Sequence, residues 1–235
     1  MKFDVIALDA DDTLWHNEWL YQRMRDEFIQ LYSSEFDPQF VEQKINQDEI
    51  GNLKYYGYGI KSFILSLIEA AVELSDGRVD AEKIQHIIEF GKEMLRADVP
   101  LFEQAEGVLI ELSQDYDLML VTKGESFEQM RKVRQSGLAG YFRYIEVVGE
   151  KSKETYLELL GKYRFEPSRF LMIGNSMRSD VIPVMEIGGQ AVLIPYDQTW
   201  FHENEGDQKN TTADYYEIEH LGQLPDLIRS INAPA

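Results

Sequence analysis

Asp9, Asp11 and Thr13 stand within five residues of one another, directly after the mostly apolar run Phe3 to Leu8. Carboxylates gathered at that spacing repel each other. A hard divalent cation offsets the repulsion, because Mg2+ takes oxygen ligands and keeps several of its waters. Three later segments carry matching chemistry. Val121-Thr122-Lys123-Gly124 offers a hydroxyl, a cation and backbone N–H groups suited to a phosphate. Glu150-Lys151-Ser152-Lys153 offers an ammonium group, and Gly174-Asn175-Ser176 with Asp180 offers further oxygen donors. Taken singly, each has an ordinary reading as an acidic turn, a helix cap or a solvated lysine. Their chemical agreement is what points to one site. His86, His202 and His220 show no metal-ligand spacing, and the chain has no cysteine, so thiolate sites and disulfides are excluded.

Each of these segments follows a short apolar run. The runs are Phe3 to Leu8, Leu118 to Val121, Tyr144 to Val148, Phe170 to Ile173 and Ala191 to Ile194. Most lack polar alternation, as strands buried on both faces of a parallel sheet do. Between them Glu125 to Ser136, Ser152 to Tyr163 and Met177 to Ile187 have helical patterns. Alternating strands and helices predict right-handed βαβ units and a doubly wound α/β domain. In such sheets ligands bind beyond the carboxyl ends of the strands, where the polar segments fall.

The stretch from Trp15 to Val99 breaks the alternation and reads as helical throughout. Ile60, Phe63, Ile64, Leu67, Ile68, Ala71 and Val72 follow the i, i+3, i+4, i+7 rule over Ile60 to Leu74. Asp80 suits the N-cap of a further helix to about Ala97, and Pro100 marks a boundary. The pattern predicts a core of residues 1–14 and 100–235 with a helical insertion at 15–99. Asp197 to Asp214 reads as a polar surface loop, and Ile218 to Ile231 as a closing helix broken near Gly222 to Pro225.

A length of 235 residues can bury a sizeable core, and 44% hydrophobic residues is ordinary for a globular protein. A net charge of −19 argues against a nucleic-acid partner, which needs clustered Lys and Arg. It does not oppose a small anionic substrate, because a metal and one or two cations can reverse the sign of a pocket. No apolar run is long enough to cross a bilayer, and no signal-peptide pattern opens the chain, so a cytoplasmic location is expected. Nothing in the sequence specifies an oligomeric state.

These motifs resemble those of the haloacid dehalogenase (HAD) superfamily, and more closely its phosphatases with a helical cap. Asp9-Ala10-Asp11-Asp12-Thr13 is similar to the family's first motif, Asp-x-Asp-x-Thr. Thr122 matches the second motif, Lys151 the third, and Gly174-Asn175-Ser176 through Asp180 the fourth. The resemblance implies a Rossmann-like doubly wound parallel sheet with an inserted α-helical cap. It implies a hydrolase acting on a small phosphorylated metabolite through an aspartyl phosphate. Asp9 would be the nucleophile, already ionised at neutral pH, and Asp11 the acid and base. Thr122, Lys123 and Lys151 would hold the phosphate. Mg2+ would lie among Asp9, the main-chain carbonyl of Asp11, Asn175 and Asp180.

Asn175 departs from the family pattern, which has Asp at that position. Asn keeps a carbonyl oxygen and loses the charge. Lys153 is a rival to Lys151 as the motif lysine. Three other readings use the same scaffold. A phosphomutase would keep the catalytic pair. A 2-haloacid dehalogenase would lack the second Asp, which this chain has as Asp11. A non-catalytic binding protein is favoured only by Asn175. Substrate choice is expected in the helical stretch, where Gly51 to Gly59 holds three tyrosines and three glycines. Lys54, Tyr55 and Tyr58 are its candidate contacts, on a loop facing substrate or joining two helices. Trp15, His16 and Asn17 lead into that stretch as a candidate hinge or rim.

Overall fold

All five apolar runs form strands in the computed structural model, which describes residues 2–204 and 215–233. They are β1 (Val5–Leu8), β2 (Asp117–Lys123), β3 (Tyr144–Val148), β4 (Phe170–Gly174) and β5 (Gln190–Leu193). A sixth strand, β6 (Tyr216–Glu217), has only two residues. No sequence period reveals it, and it exists only through its pairing with β5. The sheet order is β3-β2-β1-β4-β5-β6, with every pairing parallel. The central strands β1 and β4 are buried along their whole length, whereas the edge strand β3 is half-buried. Their side chains alternate between two cores. Ile6, Leu8, Leu118, Leu120, Leu171 and Ile173 face α5 (Ala105–Leu112) and α10 (Leu224–Asn232). Val5, Ala7, Met119, Val121, Phe170 and Met172 face α7 (Lys153–Tyr163) and α8 (Ile182–Glu186). This is the Rossmann-like, doubly wound arrangement.

The chain divides into two compact units, Met1–Glu18 with Val99–Ala235 and Trp19–Asp98. The second is built on α1 (Glu18–Tyr32), α2 (Pro38–Tyr56), α3 (Ile60–Leu74) and α4 (Ala81–Arg96). Met24, Phe28, Val41, Ile45, Phe63, Leu67, Ile87, Phe90 and Met94 form its core. α3 has its expected bounds, although Val72, at the edge of its apolar stripe, is exposed. Asp80 caps α4 by accepting a hydrogen bond from Glu82 N.

Residues 51–56, expected in a loop, instead continue α2 to Tyr56. Asn52 is buried there and donates to Ser66 Oγ at 3.2 Å and to a Glu69 carboxylate oxygen at 2.6 Å on α3. That tertiary anchoring overrides the weak helix propensity of Gly51 and Asn52. The helix stops at Gly57, whose φ of 68° is one that only glycine takes without cost.

Two further expectations are corrected. The closing helix α10 begins at Leu224, so Pro225 lies in its first turn, where a missing N–H costs nothing, and does not break it. Of the segment expected as a surface loop, residues 205–214 lie outside the described residues. The part before them forms a short helix, α9 (Phe201–Asn204), and buries Thr199, His202 and Glu203. No helix among the described residues is long and apolar enough to cross a membrane.

Candidate active site

Register brings the polar segments level. Leu8 pairs with Leu120 on one side and Ile173 on the other, so the residues beyond these three leave the sheet together. Asp9 N still donates to Ile173 O at 2.8 Å, which fixes the Asp9 side chain at the carboxyl edge. The Asp9 carboxylate is buried and ion-paired through Oδ1 with Lys151 Nζ. Lys151 also donates to Asp180 Oδ1 at 2.6 Å. Thr13 Oγ1 lies 3.2 Å from Asp9 Oδ2 and 3.3 Å from Asn175 Oδ1. Asn175 Nδ2 donates to Thr199 Oγ1 at 3.1 Å, which leaves Asn175 Oδ1 to accept from Thr13. Thr122 is buried in the last turn of pleat of β2. Lys153 is exposed on the first residue of α7, so the contacts with Asp9 and Asp180 belong to Lys151.

Asp180 sits on a π-helical turn, Met177–Val181, which precedes α8 where a single helix was expected over Met177 to Ile187. Wide turns of this kind re-aim side chains. Its carboxylate folds back so closely that a Cβ at Gly174 would lie 2.1 Å from Asp180 Oδ2. Gly174 is therefore required for the approach of a carboxylate. That same oxygen accepts from Ser176 N at 3.1 Å.

The electrostatics are unbalanced. One ammonium, Lys151, serves two buried carboxylates. Burial drives the Asp9 pKa up, Lys151 opposes it, and Asp180 and Asp11 add repulsion; the result is a value of about 7. Burial thus works against the ionised form of Asp9, and the Lys151 ammonium works for it. Burial alone would lower the Lys151 pKa, but Asp180 and Asp9 hold it well above the usual lysine range. Oxygen acceptors outnumber donors here, and all are hard. Asp9, Asn175 and Asp180 therefore fit a hard divalent cation. Among the described residues no three acidic or His side chains already form a metal cage. The Asp11 carboxylate turns elsewhere, so its share in such a site would come from its main-chain carbonyl.

Asp11 meets Lys132 Nζ at 2.8 Å (Oδ1) and 2.6 Å (Oδ2), Gln129 Nε2 at 2.8 Å and Trp15 Nε1 at 2.6 Å. Lys132 and Gln129 lie on α6 (Ser126–Gln135) and were not anticipated. The sequence carried no signal for them, since only the structure shows that α6 buries Glu128, Gln129 and Lys132 while Phe127 is exposed. A helix that buries its polar face breaks the ordinary pattern, and such breaks occur at functional sites. Asp12, at φ 58°, accepts from Asn17 N at 2.9 Å and Glu18 N at 3.1 Å, so it caps the start of α1. Burial raises its pKa to about 6 against those hydrogen bonds.

Lys123 is engaged differently from expectation. Its Nζ donates to Ser179 Oγ at 2.8 Å and pairs with Glu203 on α9. Glu203 Oε2 also accepts from Ser176 Oγ at 2.7 Å and Ser179 Oγ at 2.6 Å. Nothing in the sequence signals Glu203. Burial would raise its pKa, but Lys123 and the two serines overcome that and bring it to about 2. A carboxylate with a lowered folded-state pKa contributes stability that is full above its unfolded value, near 4.3, and is lost as pH falls toward 2. Glu203→Gln should therefore flatten the acid limb of a melting-temperature profile between about pH 4.5 and 2, removing on the order of 3 kcal/mol at neutral pH. Parallel wild-type and variant profiles would show that this ion pair contributes nothing.

Lys54 and Tyr55 lie in the last turn of α2, with Lys54 Nζ 4.7 Å from the Tyr55 ring centre and Tyr55 exposed. Tyr58 lies between α2 and α3. All three belong to the helical unit, whereas Asp9, Asp11, Thr122, Lys123, Lys151, Asn175 and Asp180 belong to the α/β unit. Elsewhere, one cavity is lined by Phe3, Asp4, Tyr116, Asp117 and Arg169 at the opposite, amino end of the strands. It gathers no buried titratable cluster.

A family model for haloacid dehalogenase-like hydrolases matches residues 3–183. The HAD-hydrolase YfnB of Bacillus subtilis (strain 168) is 26% identical over 205 residues, covering 82% of this chain and 75% of the relative. A haloacid dehalogenase-like family hydrolase from Xanthomonas campestris superposes with a TM-score of 0.87 at 35% identity, over 98% of this chain and 92% of that one. A 2-haloacid dehalogenase from Pseudomonas syringae pv. Tomato superposes with a TM-score of 0.63 at 20% identity, over 97% and 99% of the two chains. With the match spanning most of the sequence and the motif residues gathered at the carboxyl edge of the sheet, the chain belongs to the haloacid dehalogenase-like hydrolases.

Proposed function

We propose that the chain is a Mg2+-dependent phosphohydrolase of small phosphate monoesters, with Asp9 as nucleophile and Asp11 as acid and base. The observation that carries this reading is that both carboxylates of the first motif are present and separately held, Asp9 on Lys151 and Asp11 on Lys132. Two carboxylates in different surroundings can take different roles. An Asp9 oxygen attacks phosphorus as the ester oxygen leaves and takes a proton from Asp11. Asp11 then removes a proton from water, whose oxygen attacks phosphorus and frees Asp9. Lys151 and Thr122 hold the phosphoryl oxygens as their charge shifts. Asp9, Asn175, Asp180 and the Asp11 carbonyl would hold Mg2+, whose charge lets a carboxylate approach a phosphate dianion. YfnB of B. subtilis has been seen bound to magnesium on the same fold, which supports the choice of ion.

In this reading the partner is a small phosphorylated metabolite in the cytoplasm. Substrate discrimination falls to the helical unit as a cap, including Lys54, Tyr55 and Tyr58. A panel of phosphate monoesters with Mg2+ and with EDTA, alongside 2-chloropropionate, tests the reading. Release of phosphate that needs Mg2+ is expected. Chloride release would favour a dehalogenase instead, and isomer formation without phosphate release a mutase.

Asn175 gives a separate prediction. Asn175→Asp adds a charge beside the proposed cation, and Asp180→Asn removes one. Calorimetric titration should show Mg2+ binding about tenfold tighter in the first and weaker in the second, each tenfold step being about 1.4 kcal/mol. Unchanged affinity in both would remove these residues from the metal set.

A further inference from the structure

We propose that Lys132 is a positioning residue of the acid/base step, acting through Asp11 with Gln129 and Trp15 as its auxiliaries. The proposal rests on the reading of Asp11 as acid and base.

A carboxylate has about four lone-pair directions. Those of Asp11 meet four hydrogen bonds from three side chains, two from Lys132 and one each from Gln129 and Trp15. This holds the carboxylate plane and rotamer far more tightly than an exposed turn would. Lys132 is itself nearly fully buried. It is fixed by Asn17 Oδ1 at 3.0 Å and by the buried Glu128 carboxylate at 3.6 Å. Glu128, one turn back on α6, balances its charge without reaching Asp11. Trp15 is fully buried, so its indole N–H is a rigid donor. A side chain that must deliver a proton to one oxygen and later take one from water at nearly the same place gains from such fixing, with one of the single donors, Gln129 or Trp15, giving up its lone pair while Asp11 carries that proton. Misplacement by about 1 Å can cost on the order of a hundredfold.

The role has a signature that a structural role lacks. Protonation of the leaving oxygen matters for an alkyl phosphate and hardly at all for 2,4-dinitrophenyl phosphate, whose phenolate leaves unaided. The parameter kcat/KM reports steps up to departure of that group. Lys132→Met is expected to lower kcat/KM about a hundredfold for an alkyl phosphate and less than about threefold for the dinitrophenyl ester. A burst of dinitrophenolate, one per site, should precede slow turnover, because the water step still needs Asp11. Lys132→Arg, which keeps the donors, should recover part of the alkyl activity. Gln129→Met removes one donor without stranding Glu128, and should show the same split at smaller size, so the proposal survives a Lys132→Met that fails to fold. Equal losses on both esters in Lys132→Met or Gln129→Met, or no loss on either, would overturn it. Asp11→Asn is measured alongside. If it too shows no split between the esters, the acid/base reading falls and takes this proposal with it. If it shows the split and the Lys132 and Gln129 variants do not, only the positioning role is lost.

Discussion

Asp9→Asn is expected to reduce phosphate monoester hydrolysis by at least about four orders of magnitude while leaving the protein folded. Removal of a covalent nucleophile typically costs that much or more, because no other group can form the intermediate. An amide is a poor nucleophile, yet it is nearly isosteric and can still accept from Lys151. The fold should tolerate it, because Asp9 is one of two buried carboxylates on a single ammonium and is already pushed up to about 7. Beryllium fluoride should lodge on the Asp9 carboxylate of the wild type and be absent from the variant. Purified Asp9→Asn with near wild-type turnover would end the mechanism. A variant that is inactive but also unfolded would leave the decision to the fluoride complex.

Lys151→Met should damage stability as well as chemistry. The substitution leaves Asp9 and Asp180 buried and facing each other without a cation. Breaking a buried pair by removing one partner costs roughly 3–5 kcal/mol. In a protein of this size that corresponds to a fall in melting temperature of roughly 10 °C. Hydrolysis should fall by at least about a hundredfold, as expected when a charge-stabilising donor is lost. Mg2+ provides an independent check. A cation binding among Asp9, Asn175 and Asp180 would replace the missing charge, so saturating Mg2+ should raise the variant's melting temperature more than the wild type's. A variant that melts within about 2 °C of the wild type would mean that water already reaches these carboxylates. Equal Mg2+ effects in the two proteins would place the ion elsewhere.

The sequence by itself determined five of the six strands, most helices and the chemistry at the strand ends. Apolar runs too short to form helices have to pair, and helical periods between them force parallel crossovers. Once the strands are parallel and in register, Asp9, Thr122, Lys151 and Asn175 must emerge along one edge, and that followed without any structure. The same logic favoured Lys151 over Lys153, because one follows the strand end and the other opens a helix.

What only the tertiary structure decided are matters of register between distant segments. The pairing of Asp11 with Lys132 and Gln129 spans more than a hundred residues and depends on where the crossover helix α6 lies. Glu203 reaches Lys123 from a segment whose polarity reads as solvated loop. The two residues of β6 are a strand only because β5 is their neighbour. α2 runs through Gly51 and Asn52 because Ser66 and Glu69 on α3 hold Asn52. In each case a weak or misleading local preference is outweighed by a buried contact between residues far apart in the chain. Local periodicity carries no trace of such contacts, since they become favourable only once burial has removed the competing water.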